Sequence, residues 1–285
     1  MKKVNLILAG MILLSVAVFT GCDNGDDPDP MQVAYDNADL AKGGIMYDKF
    51  WASESGFSQS DANIAKFNAS ADFFRCKQCH GWDGLGNAGS YNNRGPKTTR
   101  PNISGINLYQ LAQTMTSTEL YEAMTKTAGR RSISYNLSTY DPATNATEGD
   151  KMPSLTEILS DAQIWDMVKF MKEGMFDVSQ LYDATYTGTY PTGKSVFANV
   201  GKDGNEAAGN TFYSANCAGC HGADAKTITV EGMSIGKFTR SKPNEVQHKV
   251  KYGQLGSAMA GEFDMTVTNM KDLYKALANS TKYPD

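Results

Sequence analysis

Two pentapeptides constrain this chain more than any other feature: Cys76-Lys77-Gln78-Cys79-His80 and Cys217-Ala218-Gly219-Cys220-His221. Each reads C-x-x-C-H, and together they take four of the five cysteines and two of the three histidines. On one helical turn this spacing brings two thiols to the two vinyl groups of a porphyrin and sets the adjacent imidazole on the iron, so the pattern reads as covalent haem attachment. Two C-x-x-C pairs could also build a structural zinc site, or oxidise to disulfides in an exported protein. Neither alternative explains a histidine after each second cysteine. The expected cofactors are two covalently bound haem c, held by Cys76, Cys79, Cys217 and Cys220, with His80 and His221 as proximal ligands.

The N-terminus reads as an export signal rather than as part of the fold. Lys2 and Lys3 precede an apolar stretch from Val4 to Phe19, and Thr20-Gly21 leads into Cys22 and an acidic run from Asp23 to Pro30. This order resembles the lipidation site of bacterial lipoproteins, although Phe19 stands where an aliphatic residue is usual. It implies a signal peptide at 1–21, lipid on Cys22 and an acidic tether at 22–30. The apolar stretch is shorter than the roughly 18 to 20 residues that span a bilayer. The expected location is the periplasmic side of a bacterial membrane, and Asp23 resembles an inner-membrane retention signal. Removing residues 1–21 takes two lysines and no acid from the 27 basic and 31 acidic residues, leaving 25 and 31. A mildly acidic chain argues against nucleic acid and suits a basic redox partner.

The distal iron ligands are less determined. Methionine is a common choice and raises the reduction potential relative to a second histidine. For the first haem the candidates are Met115, Met124, Met152, Met167, Met171 and Met175. Met152-Pro153 is followed by a capping box, Ser160-Asp161-Ala162-Gln163, and by a helix pattern that stops at Gly174. That order resembles the distal half of class I cytochromes c and favours Met152. Met124, Met167 and Met171 read as core fillers. For the second haem, Met259 sits in a Gly-rich loop before a helical stripe at Val267, Met270, Leu273, Tyr274 and Leu277, with Met265 as the rival. His248 is an alternative ligand there, or a packed residue near the pocket.

The fold class is mainly α. Helices are expected over Ala38–Trp51 and near Leu108–Met115 and Thr118–Thr127, with Ile64–Arg75 leading into the first motif and a polar insertion from Gly129 to Lys151. Phe212 and Tyr213, one turn before Cys217, read as a porphyrin cover or as aromatic core. Only Lys226–Val230 suggests an extended piece. The two motifs lie 141 residues apart (217 minus 76), which implies one haem domain at 31–178, a linker at 179–195 and a second haem domain at 196–285.

Both domains resemble class I cytochromes c arranged in tandem. More narrowly, Gly43-Gly44-x-x-Tyr47-Asp48 and Phe74-Arg75-Cys76-Lys77-x-Cys79-His80-Gly81-Trp82-Asp83, with Asn244 to Met259, look like a group of bacterial dihaem c-type cytochromes. The resemblance implies single-electron transfer between redox protein partners or to a membrane oxidoreductase, with no catalytic residue. The competing expectation is a dihaem enzyme, a peroxidase or thiosulfate-type dehydrogenase with one open iron. A peroxidase usually needs a further histidine in the first domain, and a thiosulfate dehydrogenase a cysteine ligand; neither is spare here.

Overall fold

A computed structural model describes residues 28–285; the expected signal and Cys22 lie outside them. Helix accounts for 48% and strand for 6%, so the chain is mainly helical, as its periodicity implied. Among the described residues no helix is long and apolar enough to cross a membrane.

Two helix crossings organise the chain, and each needs a glycine. The Leu40–Lys49 helix begins at Asp39, whose carboxylate accepts from the backbone of Ala41 and Lys42. It crosses the Asp161–Lys169 helix, which opens with the Ser160/Gln163 capping box. A side chain at Gly43 would run into the backbone carbonyl of Asp166. In the second half the Glu206–Asn216 helix, capped by Asn205, crosses Val267–Ala278, and a side chain at Gly209 would strike the carbonyl of Asp272. The crossings are locked alike: Asp166 accepts from the Asp39 backbone N–H at 2.6 Å and Asp272 from that of Asn205 at 2.7 Å. Each lock satisfies a cap residue's backbone donor with a charged acceptor.

Two hydrophobic cores grow from these crossings. The first gathers Met46, Tyr47, Phe50, Phe67, Ile164, Val168 and Phe170; the second gathers Leu181, Tyr213, Phe238, Met270, Tyr274 and Leu277. The Ile64–Arg75 segment leading into the first motif forms two helices, Ile64–Ala69 and Ala71–Phe74, broken at Ser70, and Phe73 and Phe74 join the first core. Helices at Leu108–Thr114 and Ser117–Thr125 lie where expected. The extended piece expected at Lys226–Val230 reduces to one bridge between Val230 and Met233. The sheet lies instead within and just after the expected linker, as antiparallel strands Asp183–Thr187 and Lys194–Ala198, with Asp183 opposite Ala198. Its strands are largely exposed, so they lack the apolar alternation that marks a strand in sequence.

The halves interlock through two elements. The hairpin docks on the first half: Asn92 donates to the Lys194 carbonyl at 2.9 Å and Tyr190 accepts from the Ile103 backbone at 3.2 Å. The Pro243–Tyr252 helix serves both cores, with Val246 and Val250 on the second and Tyr252 in the first. The Tyr252 hydroxyl donates at 2.9 Å to the carbonyl of Gly174, the last residue of a π-helical turn over Phe170–Gly174. Gly44 makes this docking possible, since an added methyl would fall inside the Tyr252 ring. Gly44→Ala is therefore expected to cost on the order of 2 kcal/mol by overpacking, read from the urea midpoint. Gly219→Ala, with open space at its added methyl, should leave that midpoint nearly unchanged; equal losses at both positions would refute the packing argument.

Candidate functional site

Each C-x-x-C-H segment folds as one short helix, Cys76–His80 and Ala218–His221, and each stops at a glycine in the left-handed region, Gly81 at φ +77° and Gly222 at φ +82°. The carbonyl of that glycine is then seized by a tyrosine from the upstream helix. Tyr47 donates to the Gly81 carbonyl at 2.5 Å and Tyr213 to the Gly222 carbonyl at 2.7 Å. Each tyrosine lies four residues after the glycine of its crossing. The crossing thus fixes the position of each thiol–imidazole turn, a relation the sequence reading missed by treating Tyr213 as a cover or core residue.

At the first site, Cys76, Cys79, His80 and Met152 line one cavity of about 240 Å³, walled by Phe73, Phe74, Ile106 and Leu155. Met152 and Pro153 are held by Arg131, whose backbone N–H donates to the Met152 carbonyl at 2.9 Å and whose carbonyl accepts from Ser154 at 2.8 Å. None of Met115, Met124, Met167, Met171 and Met175 lines this cavity. Met124, Met167 and Met171 are buried in the first core, and Met115 and Met175 pack at its margin. Burial pushes the Cys76 thiol up to about 12 and the Cys79 thiol up to about 11, and lowers His80 to about 4. All three groups are neutral at pH 7.

The polar groups around this cavity are unevenly satisfied. Arg131 is 1% exposed; its Nη2 donates to the Phe73 carbonyl at 3.2 Å, but its Nη1 is buried with no partner among the described residues. The Nδ1 of His80 is likewise buried and unpartnered. A buried donor without an acceptor costs about 1 to 3 kcal/mol, and more when charged. The lining gathers two thiols, an imidazole, a thioether and a buried guanidinium, a donor set that suits an occupant bearing both a metal and a carboxylate. The sequence had offered Arg131 only as part of a polar insertion.

The second site is less enclosed. Cys217 is half-buried and packs against the second core, its thiol raised to about 11 by burial, while Cys220 is exposed. His221 also has a buried, unpartnered Nδ1. Met259 lines a cavity of about 260 Å³ with Ile45, Glu54, Tyr252 and Phe263, and neither thiol nor His221 contributes to that lining. Met265 is buried in the second core.

His248 lines neither the first cavity nor the Met259 cavity. Its Nε2 is 2.9 Å from the Gly44 carbonyl, and its ring packs among those of Tyr47, Trp82, Phe170 and Tyr252. In this position the ring forms a wedge between the halves, with Nε2 on a backbone carbonyl and Nδ1 buried without a partner among the described residues. The four motif cysteines are free, and among the described residues no three His, Cys, Asp or Glu side chains gather into a metal site of their own. The two cysteine pairs do not join as a zinc centre.

Comparison with known families fits this geometry. The cytochrome c family model matches residues 67–174, and the model for subunit III of cbb3-type cytochrome c oxidase matches residues 204–275. These matches support a c-type cytochrome. No curated protein and no solved structure matches the chain. For such a cytochrome the implied cofactor is covalently bound haem c, and the first cavity fits it: two neutral thiols, an imidazole, a thioether and an orphaned guanidinium line one apolar space.

Burial lowers His248 from 6.5 to about 4. The unfolded chain takes up a proton at this residue below about pH 6.5, whereas the folded chain does so only near pH 4. Stability is thus full above the unfolded value and is lost as pH falls through this window, by on the order of 3 kcal/mol. His248→Gln should flatten the fall of the urea midpoint across that window; a slope equal to the parent's would show that His248 is not the group responsible.

Proposed function

We propose that this chain is an exported dihaem c-type cytochrome, tethered by lipid on Cys22 to the periplasmic side of a bacterial membrane. It passes single electrons between redox protein partners or to a membrane oxidoreductase. The observation that carries the two-domain reading is the repeated frame: Asp39, Gly43, Tyr47, Gly81 and Asp166 in one half recur as Asn205, Gly209, Tyr213, Gly222 and Asp272 in the other. The same packing solution twice, each around a C-x-x-C-H turn, is what two tandem haem domains require. The likeness of residues 204–275 to an oxidase subunit supports a role in supplying or receiving electrons from a protein partner.

In this reading Cys76, Cys79, Cys217 and Cys220 hold the cofactors, His80 and His221 are proximal ligands, and Met152 and Met259 are distal ligands. Haem iron, when bound, supplies a one-electron couple. The protein's part is positional. Tyr47 and Tyr213 hold the two imidazole-bearing turns, Phe73 and Phe74 give the first cavity an apolar wall, and Arg131 would hold a carboxylate of the macrocycle through its free Nη1. The Pro243–Tyr252 helix, packed on both cores, holds the halves in a fixed relation.

A second reading is a dihaem enzyme of peroxidase or thiosulfate-dehydrogenase type with an open second iron. It draws on one observation, that Met259 lines a cavity apart from Cys217 and His221. Against it, the chain has only three histidines and five cysteines, none of them spare in the first half.

Mass spectrometry of protein from a host with cytochrome maturation machinery should show two haem adducts and a diacylglycerol. A colourless polypeptide of bare mass would end the redox reading. The ferric spectrum should carry the methionine-to-iron charge-transfer band, and Met152→Ala should remove its first-haem share and lower that haem's potential. A high-spin ferric signal in the parent protein, persisting at one haem equivalent, would favour the enzyme.

A further inference from the structure

The Cys76–His80 helix faces two cavities. Cys76, Cys79 and His80 line the first, while Lys77 and Gln78 line a larger cleft of about 780 Å³ between the halves. That cleft is walled by the 90–100 loop, by Ser195 and Phe197 of the hairpin, and by Lys242, Asn244 and Glu245 of the second half. Its lining holds five cations, Lys77, Arg94, Lys97, Arg100 and Lys242, against two carboxylates, Glu231 and Glu245. In a chain of net charge −4 this concentration is not a product of composition.

The carboxylates neutralise it only in part. Glu231 is paired with Lys242, and Glu245 is 3.2 Å from Lys249, which lies outside the lining. Among the described residues no carboxylate lies within 4.0 Å of Lys77, Lys97 or Arg100. Arg100 is 7% exposed and donates only to the Gly95 carbonyl. Arg94 rests on the Tyr91 ring at 4.6 Å and lies 3.6 Å from Asp72, yet its Nε is buried without a partner. Lys77 is 8% exposed and rests over the Trp82 ring at 4.2 Å. Burial and repulsion from Arg94 both disfavour the charge on Arg100, so these cations are held together at a cost that a bound anion would remove.

We propose that this interdomain cleft is a binding site for a small multivalent oxyanion, with phosphate or sulfate as the chemical class. Planar guanidinium groups match the oxygens of such an ion in pairs, and lysines add charge without demanding geometry. The recessed position of Lys77 and Arg100 favours a small ion over the broad face of an acidic protein. Because the walls come from both halves, a bound ion clamps their junction. The site does not depend on the haem reading, although Lys77 lies between the two thiols of the first turn.

Isothermal titration of the full-length protein, as purified with any cofactor it carries, tests this. Inorganic phosphate and sulfate are titrated separately, with chloride adjusted to hold ionic strength at about 0.1 M, where loose surface attraction is screened. One saturable site for phosphate or sulfate is expected, with a raised melting temperature. Arg100→Gln should weaken it about tenfold or more, as loss of a charge-assisted pair does. Lys97→Gln, which alters an exposed side chain and leaves folding intact, should weaken it in the same direction. Lys126→Gln, on an exposed residue outside the cleft, should not. No saturable heat with either ion, or affinity unchanged in both cleft variants, overturns the site. Binding of polyglutamate without binding of phosphate or sulfate also overturns it, and would mark the cleft as a protein-docking surface.

Discussion

The architecture depends on two places where helix backbones come into near contact. At Gly43 and Gly209 the absence of a Cβ lets one helix lie against the carbonyl of an aspartate on the other, and that aspartate's carboxylate returns to bind the cap of the first helix. Closeness here is a lever. It sets where Tyr47 and Tyr213 reach, and so where the turns carrying His80 and His221 are pinned. A side chain at either glycine would move the imidazole although it touches nothing in the site, because the displacement travels through rigid helices.

The two sites built on this frame differ in their surroundings. The first is closed by aromatic residues and by the Arg131–Met152 backbone pairing, so its thiols and imidazole sit in a medium that disfavours charge. The second has an exposed Cys220 and a looser Met259 loop between Gly253 and Thr266. Were each turn to carry a haem, as proposed, similar frames with unlike dielectric surroundings would give unlike reduction potentials within one chain.

What could be read from the sequence was whatever covalent chemistry or periodicity made local. The C-x-x-C-H segments were legible because two thiols and an imidazole at that spacing form a compact local signature, and the Asp161–Lys169 helix because its capping box and apolar stripe agree. The roles of Gly43, Tyr47 and Tyr213 were hidden, since a helical tyrosine looks like core until its hydroxyl partner is known. Arg131 was hidden within a polar insertion; two adjacent arginines, Arg130 and Arg131, were the only available hint. His248 could be named but not located, because its partner Gly44 lies 204 residues away. The hairpin left no trace because exposed strands carry no apolar alternation.

The helix Pro243–Tyr252 is owned by neither half. Its valines belong to one core and its tyrosine to the other, with His248 and Gln247 bonded across the seam to Gly44 and Trp82. A fragment ending before residue 243 would therefore expose a hole lined with aromatic rings, and one beginning after residue 178 would carry a naked tyrosine and histidine on its surface. The molecule resists dissection into single-motif pieces, and heat or denaturant should meet one cooperative body where a string of independent modules would melt in steps.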